Sequence, residues 1–230
     1  MTTTLITGGN KSLGYETARR LIEAGQTVWI GARDETRGQT AAEQIGARFV
    51  QLDVTDDDSI AAAAATIAAE GGLDLLINNA GVVGPRVAPE QITGADILET
   101  YDTNVFGIVR MTTAFLPILR ESPAPAIINV TSGLGSFATV NDPLSVASGY
   151  VIPMYCSSKS AVNMLTVQYA KAFPDIRINA ADPGYTATDF NGHSGTQTVT
   201  EGTDAVVGLA LQGADGQTGT VVDRDGIEAF

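Results

Sequence analysis

Two side chains past the middle of the chain have the types and spacing for proton transfer. Tyr155 and Lys159 end the run Tyr-Cys-Ser-Ser-Lys at the head of a helical pattern, and side chains four apart on a helix lie one above the other on one face. A free phenol titrates near ~10, and a cation held beside it favours the phenolate. The pair reads as a proton donor with its tuning charge, although a solvated helix face gives the same spacing. A second chemical feature stands at the other end of the chain: the glycine turn Thr7-Gly8-Gly9-Asn10-Lys11-Ser12-Leu13-Gly14.

The elements that must position these groups follow from periodicity. Short apolar runs at 4–7, 27–30, 48–52, 73–77, 126–130, 176–180 and 218–222 read as strands. Between them lie patterns with helical spacing, beginning with Ala18, Leu21, Ile22 and Gly25 and including a long helix over 97–119 and a helix over 203–211. Strands alternating with helices predict a parallel sheet covered on both faces by right-handed crossovers. The expected fold is α/β, a single doubly wound (Rossmann) domain spanning 1–230, with a seven-stranded parallel sheet.

In that fold the first strand–helix turn is where a dinucleotide binds. Glycines let the backbone approach a pyrophosphate, and the helix start offers free amides to it. The rival nucleotide-triphosphate loop needs glycines where Leu5 and Asn10 stand, so it fails. After the second strand comes Arg33 rather than a carboxylate; a guanidinium suits a 2'-phosphate, and Lys11 adds a second cation. NADP(H) is therefore favoured over NAD(H), with Asp34 expected to cap the next helix.

Composition bounds the partners. With 230 residues, 44% apolar, the chain is long enough for a large core. Its net charge of -13 opposes binding to nucleic acid or anionic membranes. No apolar run is long and unbroken enough to span a bilayer, and no export leader is visible. One cysteine, Cys156, allows no internal disulfide, so a reducing, cytoplasmic setting is expected. Cys156 itself reads as a small packed group, His193 as a surface residue, and no residue pattern suggests a metal site.

Taken in order, these motifs resemble the short-chain dehydrogenase/reductase family nearly end to end. The glycine turn is similar to its TGxxxGxG, with Ser12 where the middle glycine usually stands. Asp53-Val54 resembles the adenine-contacting pair, Asn78-Asn79-Ala80-Gly81 the NNAG motif, and Thr131-Ser132-Gly133 the catalytic-serine turn. Tyr155 and Lys159 match YxxxK, Asn104 stands where the family has its proton-relay asparagine, and Pro183-Gly184 matches the nicotinamide-side turn, followed by Thr186 and Thr188. Thr186 replaces a commoner valine or isoleucine, so only its backbone role carries over.

The resemblance implies hydride transfer between a nicotinamide and a carbonyl or alcohol. Ser132 and Tyr155 would hydrogen-bond the substrate oxygen, Lys159 would hold the cofactor ribose and lower the phenol pKa, and Asn104 would link Lys159 to solvent through water. Cofactor contacts are expected from Gly8, Asn10, Lys11, Ser12, Leu13, Gly14, Arg33, Asp53, Val54, Asn79, Ala80, Gly81, Thr131, Tyr155, Lys159, Pro183, Gly184, Thr186 and Thr188.

An insert at 139–152 and a short loop at 185–200 depart from the usual pattern and look like the carbonyl-reductase-like branch. Leu134, Phe137, Tyr150, Tyr185 and Phe190 are the candidate pocket for a ketone or aldehyde with an apolar body. A homodimer or larger assembly is expected, the insert putting the family's usual tetramer in doubt. Two alternatives stay open: a dinucleotide-sensing regulator of the same fold, which should lack part of the Asn-Ser-Tyr-Lys set, and an NAD-linked alcohol dehydrogenase. Sugar-nucleotide epimerases carry a longer C-terminal domain than this chain has room for.

Overall fold

The computed structural model describes residues 2–230. Its strands are β1 (Thr3–Thr7), β2 (Thr27–Ala32), β3 (Arg48–Gln51), β4 (Leu75–Asn78), β5 (Ala126–Val130), β6 (Arg177–Ala181) and β7 (Val221–Val222). They form one parallel sheet in the order β3-β2-β1-β4-β5-β6-β7. This is the doubly wound architecture read from the sequence. Alternation along each strand divides the core between the two faces. Leu5 joins Trp29, Leu76, Phe115 and Ile127 on one side. Its neighbour Ile6 joins Leu21, Ile30, Ile77 and Ile128 on the other. Because helices cover both faces, β4 and β5 are buried at every position.

The helices are α1 (Ser12–Glu23), α2 (Glu35–Ile45), α3 (Asp57–Ala69), α4 (Gly94–Tyr101), α5 (Gly107–Leu119), α6 (Phe137–Asn141), α7 (Pro153–Ala172), α8 (Val199–Gly202) and α9 (Asp204–Ala210). The long helix expected over 97–119 is α4 and α5 joined by one π-helical turn, Asp102–Phe106. No helix of the described residues is long and apolar enough to cross a membrane.

The strand expected over 218–222 shrinks to two residues. The Thr218 hydroxyl accepts from Ile178 N at 3.0 Å and Gly219 takes φ +73°, so regular pairing begins only beyond them. After β7 the chain turns through Asp223–Gly226, and Ile227 pairs antiparallel with Val222. Periodicity gave no sign of this return.

Strand order reverses between β1 and β4, which opens a crevice at their carboxyl ends. The turns after β1, β4, β5 and β6 all lie at this end of the sheet, and α7 packs against β6 and the turn after β5. The insert forms the end of α6 and a short 3-10 turn, Val146–Gly149, leaving Leu144 92% and Val151 74% exposed.

Candidate active site

Tyr155 and Lys159 lie in the first two turns of α7, which opens with Pro153, a residue suited to that position because it lacks an N–H to leave unpaired. Both are buried. The Lys159 ammonium donates to Val130 O at 2.8 Å and stands 5.6 Å over the Tyr155 ring. Burial pulls this ammonium down to about 8, opposed by the charge of Asp182. Burial likewise drives the phenol well above its ordinary range; a hydrogen bond with Ser132 opposes the shift, while Asp182 and Cys156 add to it. Burial sets the direction of the phenol's shift here, and Lys159, its ammonium held by Val130 O, is not among the groups that oppose it.

Ser132 follows β5 in extended backbone and caps the next turn, its Oγ accepting from Leu134 N at 3.2 Å. Contacts to α7 fix the turn in place. Gly135 O accepts from Ser160 Oγ at 2.9 Å and Asn163 Nδ2 at 3.3 Å, and Thr131 Oγ1 donates to Asn163 Oδ1 at 2.5 Å. Only glycine fits at 135, since a β-carbon there would stand 2.6 Å from the Lys159 carbonyl carbon. Ser132 and Tyr155 thus belong to one hydrogen-bonded unit.

Asn104 sits in the π-helical turn, where helix geometry is locally opened. Its amide clasps the loop after β4 from both sides: Oδ1 accepts from Val82 N at 2.8 Å and Nδ2 donates to Val82 O at 2.8 Å. Nδ2 also donates to Ser158 Oγ at 3.0 Å, and Ser158 donates to Tyr155 O at 2.7 Å. A poor helix former is kept here because its side chain satisfies a buried loop. A β-carbon at Gly81 would stand 3.4 Å from Asn104 Oδ1 and 3.7 Å from Lys159 Nζ, so the bare glycine leaves that junction open.

The turn after β1 is braced by Asn79. Its Nδ2 donates to Thr7 O at 2.9 Å and Gly8 O at 3.2 Å, while Thr7 Oγ1 accepts from the amides of Asn79 and Ala80. A β-carbon at Gly14 would lie 2.6 Å from Asn79 Nδ2 and Gly8 O, so backbone crosses backbone there. Ser12 occupies φ +52°, the conformation a glycine adopts most easily.

Side chains of Asp34, Asp56 and Thr93 cap α2, α3 and α4, whereas α1, preceded by Lys11, has no side-chain cap, a feature it shares with α5, α7 and α9. Its first-turn amides remain for an anion, and the residues present fit a dinucleotide pyrophosphate. Asn10 and Leu13 are half-buried beside it, and Lys11 is exposed.

Arg33 is 74% exposed and 4.0 Å from Asp53. Asp34 is turned away as the cap of α2, accepting from Arg37 N at 2.9 Å, and it also pairs with the Arg37 guanidinium at 3.6 Å. Asp53 receives Thr55 through its amide and hydroxyl. Val54 is buried against Gly107, which leaves only its backbone for the crevice.

Beyond β6, Gly184 takes φ +67° and donates its amide to Asp182 Oδ1 at 2.9 Å. Thr186 and Thr188 are buried, but their amides are engaged inside the loop by Gly184 O and Asn191 Oδ1. The Thr186 amide, the part of that residue expected to carry over to the cofactor, is thus already paired within the loop. Four of the five candidate pocket side chains gather near the tyrosine turn and the 185–200 loop. Phe190 packs on Tyr155 with ring centroids 5.5 Å apart, Tyr150 on Tyr185 at 6.0 Å, and Leu134 is half-buried next to Ser132. Phe137 points outward, 72% exposed at the start of α6.

Sequence reasoning missed Asn163, Ser158, Asp182 and Glu228. Asn163 stands one helical turn beyond Lys159 on the same face, a signal periodicity offers. Asp182 ends a strand at the crevice side, where doubly wound folds keep functional groups. Glu228 reaches the site from the chain end and leaves no local signal.

Residues 2–198 match the family model described as short chain dehydrogenase. A short-chain dehydrogenase of Penicillium roqueforti is 36% identical over 236 residues, covering 96% of this chain and 93% of that one. A (+)-neomenthol dehydrogenase of Capsicum annuum is 30% identical, covering 98% and 96%. Among solved structures, the NADPH-bound carbonyl reductase from chicken fatty liver superposes with a TM-score of 0.86 at 29% identity, covering 100% and 99%. The chain belongs to the short-chain dehydrogenase family and is an NAD(P)-dependent oxidoreductase.

Proposed function

We propose that this protein reduces a ketone or aldehyde with an uncharged, largely apolar body, using NADPH, with Tyr155 as the general acid. The observation that carries the reading is Tyr155 and Lys159 buried together beside half-buried Ser132, on the same carboxyl-end side of the sheet as the glycine turn before α1.

The glycine turn would hold NADPH, which would supply the hydride for the carbonyl carbon. Ser132 and Tyr155 donate hydrogen bonds to the carbonyl oxygen, and they strengthen as negative charge develops on it. Burial keeps Tyr155 protonated until an oxyanion draws the proton away. Lys159, whose ammonium titrates near about 8, returns a proton toward the tyrosine, and Asn104 holds the adjoining loop so that the path stays open. The ring of Phe190 on Tyr155 favours an apolar substrate beside the acid.

Arg33 carries the cofactor preference, with Arg37 in the first turn of α2 and Lys11 in the glycine turn as further cations for a 2'-phosphate. The likeness to an NADPH-bound carbonyl reductase and to a neomenthol dehydrogenase supports both halves of this reading.

Titration of NADPH and NADH against protein fluorescence, with Arg33→Ala alongside, tests the cofactor half. NADPH should bind tighter, and the substitution should weaken it about ten-fold while leaving NADH unchanged. Tighter NADH binding, untouched by the substitution, would refute it. Turnover across a panel of carbonyls tests the substrate half, which fails if only small charged carbonyls react.

A further inference from the structure

The C-terminal hairpin ends against the catalytic-serine turn. Ile227 pairs with Val222, Glu228 N donates to Val221 O at 2.9 Å, and Ala229 O accepts from Ser136 Oγ at 2.7 Å. This places the Glu228 carboxyl beside the turn, with Oε1 accepting from Thr139 Oγ1 at 2.8 Å. Its second oxygen, Oε2, is buried and has no partner. A β-carbon at Gly133 would stand 3.0 Å from Asp182 Oδ2 and 3.6 Å from Glu228 Oε1, so two carboxyl groups close on the residue that follows Ser132.

We propose that Glu228 is a positioning residue for Ser132, forming with Asp182 a carboxyl pair that closes on Gly133 and holds the serine hydroxyl toward Tyr155. The proposal rests on the reading of Ser132 as a donor to the substrate oxygen. A buried carboxylate oxygen without a partner is costly unless a proton sits on it, and two carboxyls against one glycine resist carrying two charges. Burial first, then Asp182 and Asp223, push Glu228 up to about 7, with Thr139 opposing. The groups that face the pair are Asp223 after β7, Thr139 on α6, the amides of Gly133 and Gly184, which donate to Asp182, and Tyr155 and Lys159 on α7, which interact with the charge of Asp182. At lower pH Glu228 is neutral and the turn is held. As pH rises through about 7 Glu228 gains its charge, and repulsion from Asp182 and Asp223 loosens the tail from the turn.

The test compares wild type, Glu228→Ala, Glu228→Gln and Thr139→Val in NADPH-driven carbonyl reduction over pH, with NADPH affinity and Tm measured on each. Glu228→Ala should lower kcat about ten-fold and Thr139→Val about five-fold, with KM and NADPH affinity held within about two-fold. Wild-type kcat should decline through about pH 7, and Glu228→Gln, which cannot ionise, should lose that inflection while keeping the one near 8 that belongs to Lys159. In a Ser132→Ala background, Glu228→Ala should cost nothing further, because the group it positions is gone.

An unchanged kcat in Thr139→Val and Glu228→Ala would overturn the proposal, as would losses that multiply with Ser132→Ala or an inflection near 7 that survives in Glu228→Gln. Should Glu228→Ala fail to fold, Thr139→Val and Glu228→Gln decide the matter. Full turnover in Ser132→Ala alone would instead remove the reading of Ser132, and this proposal with it.

Discussion

On one wall of the crevice, Asn79, Asn104 and Lys159 are polar side chains bonded to backbone: to Thr7 and Gly8, to Val82, and to Val130. In the segment between Ser132 and Tyr155, by contrast, Phe137, Leu144 and Val151 are mostly exposed and Tyr150 partly so, with Tyr150 in ring contact with Tyr185. The wall is fixed because a buried amide or ammonium without its partners is costly. The segment has few such constraints, since exposed apolar side chains shift rotamers at little energy. A rigid polar cluster is thereby set against an adaptable apolar segment, which the proposed function assigns to the substrate body.

The comparison makes graded predictions. Lys159→Ala should reduce kcat by about 10² or more, and it should abolish the wild-type fall in reductive turnover above about pH 8. The sign follows from burial: the amine is depressed, its ammonium exists only below that pH, and reduction needs the ammonium to return a proton.

Next in size is Asn104→Ala. It strands Val82 N and Val82 O and removes one donor from Ser158 Oγ, which keeps its bond to Tyr155 O, and should cost about 3 kcal/mol of stability by denaturant unfolding. Phe190→Ala should act mainly on KM, raising it about ten-fold for bulky apolar carbonyls as the ring on Tyr155 is lost. Phe137→Ala, 72% exposed, should change KM by less than about two-fold and stability by under about 0.5 kcal/mol. If Phe137 proved as costly as Asn104, the contrast between wall and segment would be wrong.

The sheet could be read from short apolar runs because each strand's pattern is local, and strand boundaries moved by only a few residues. The cap at Asp34 was legible for the same reason, since a carboxylate before a helix pattern meets amides within one turn. Cys156, half-buried with its thiol pushed up by burial, and His193, exposed on its loop, lie where their types suggested.

The Glu228 contacts could not be read. Glu228 meets Thr139, and Ala229 meets Ser136, across most of the second half of the chain, and no periodicity reports such closures. Nor could spacing along a helix reveal that the Lys159 ammonium would bond Val130 O, because that depends on where β5 ends beneath α7. The π-helical turn at Asn104 was hidden for a related reason: its cause is the loop at Val82 that the side chain satisfies.

The most direct test is Tyr155→Phe, which removes one hydroxyl from a buried ring and leaves the packing with Phe190 intact. Turnover of an apolar ketone and NADPH affinity should be measured on the same preparation. The account predicts kcat/KM at least about 10²-fold lower with NADPH affinity unchanged. Wild-type turnover in the phenylalanine variant would contradict it.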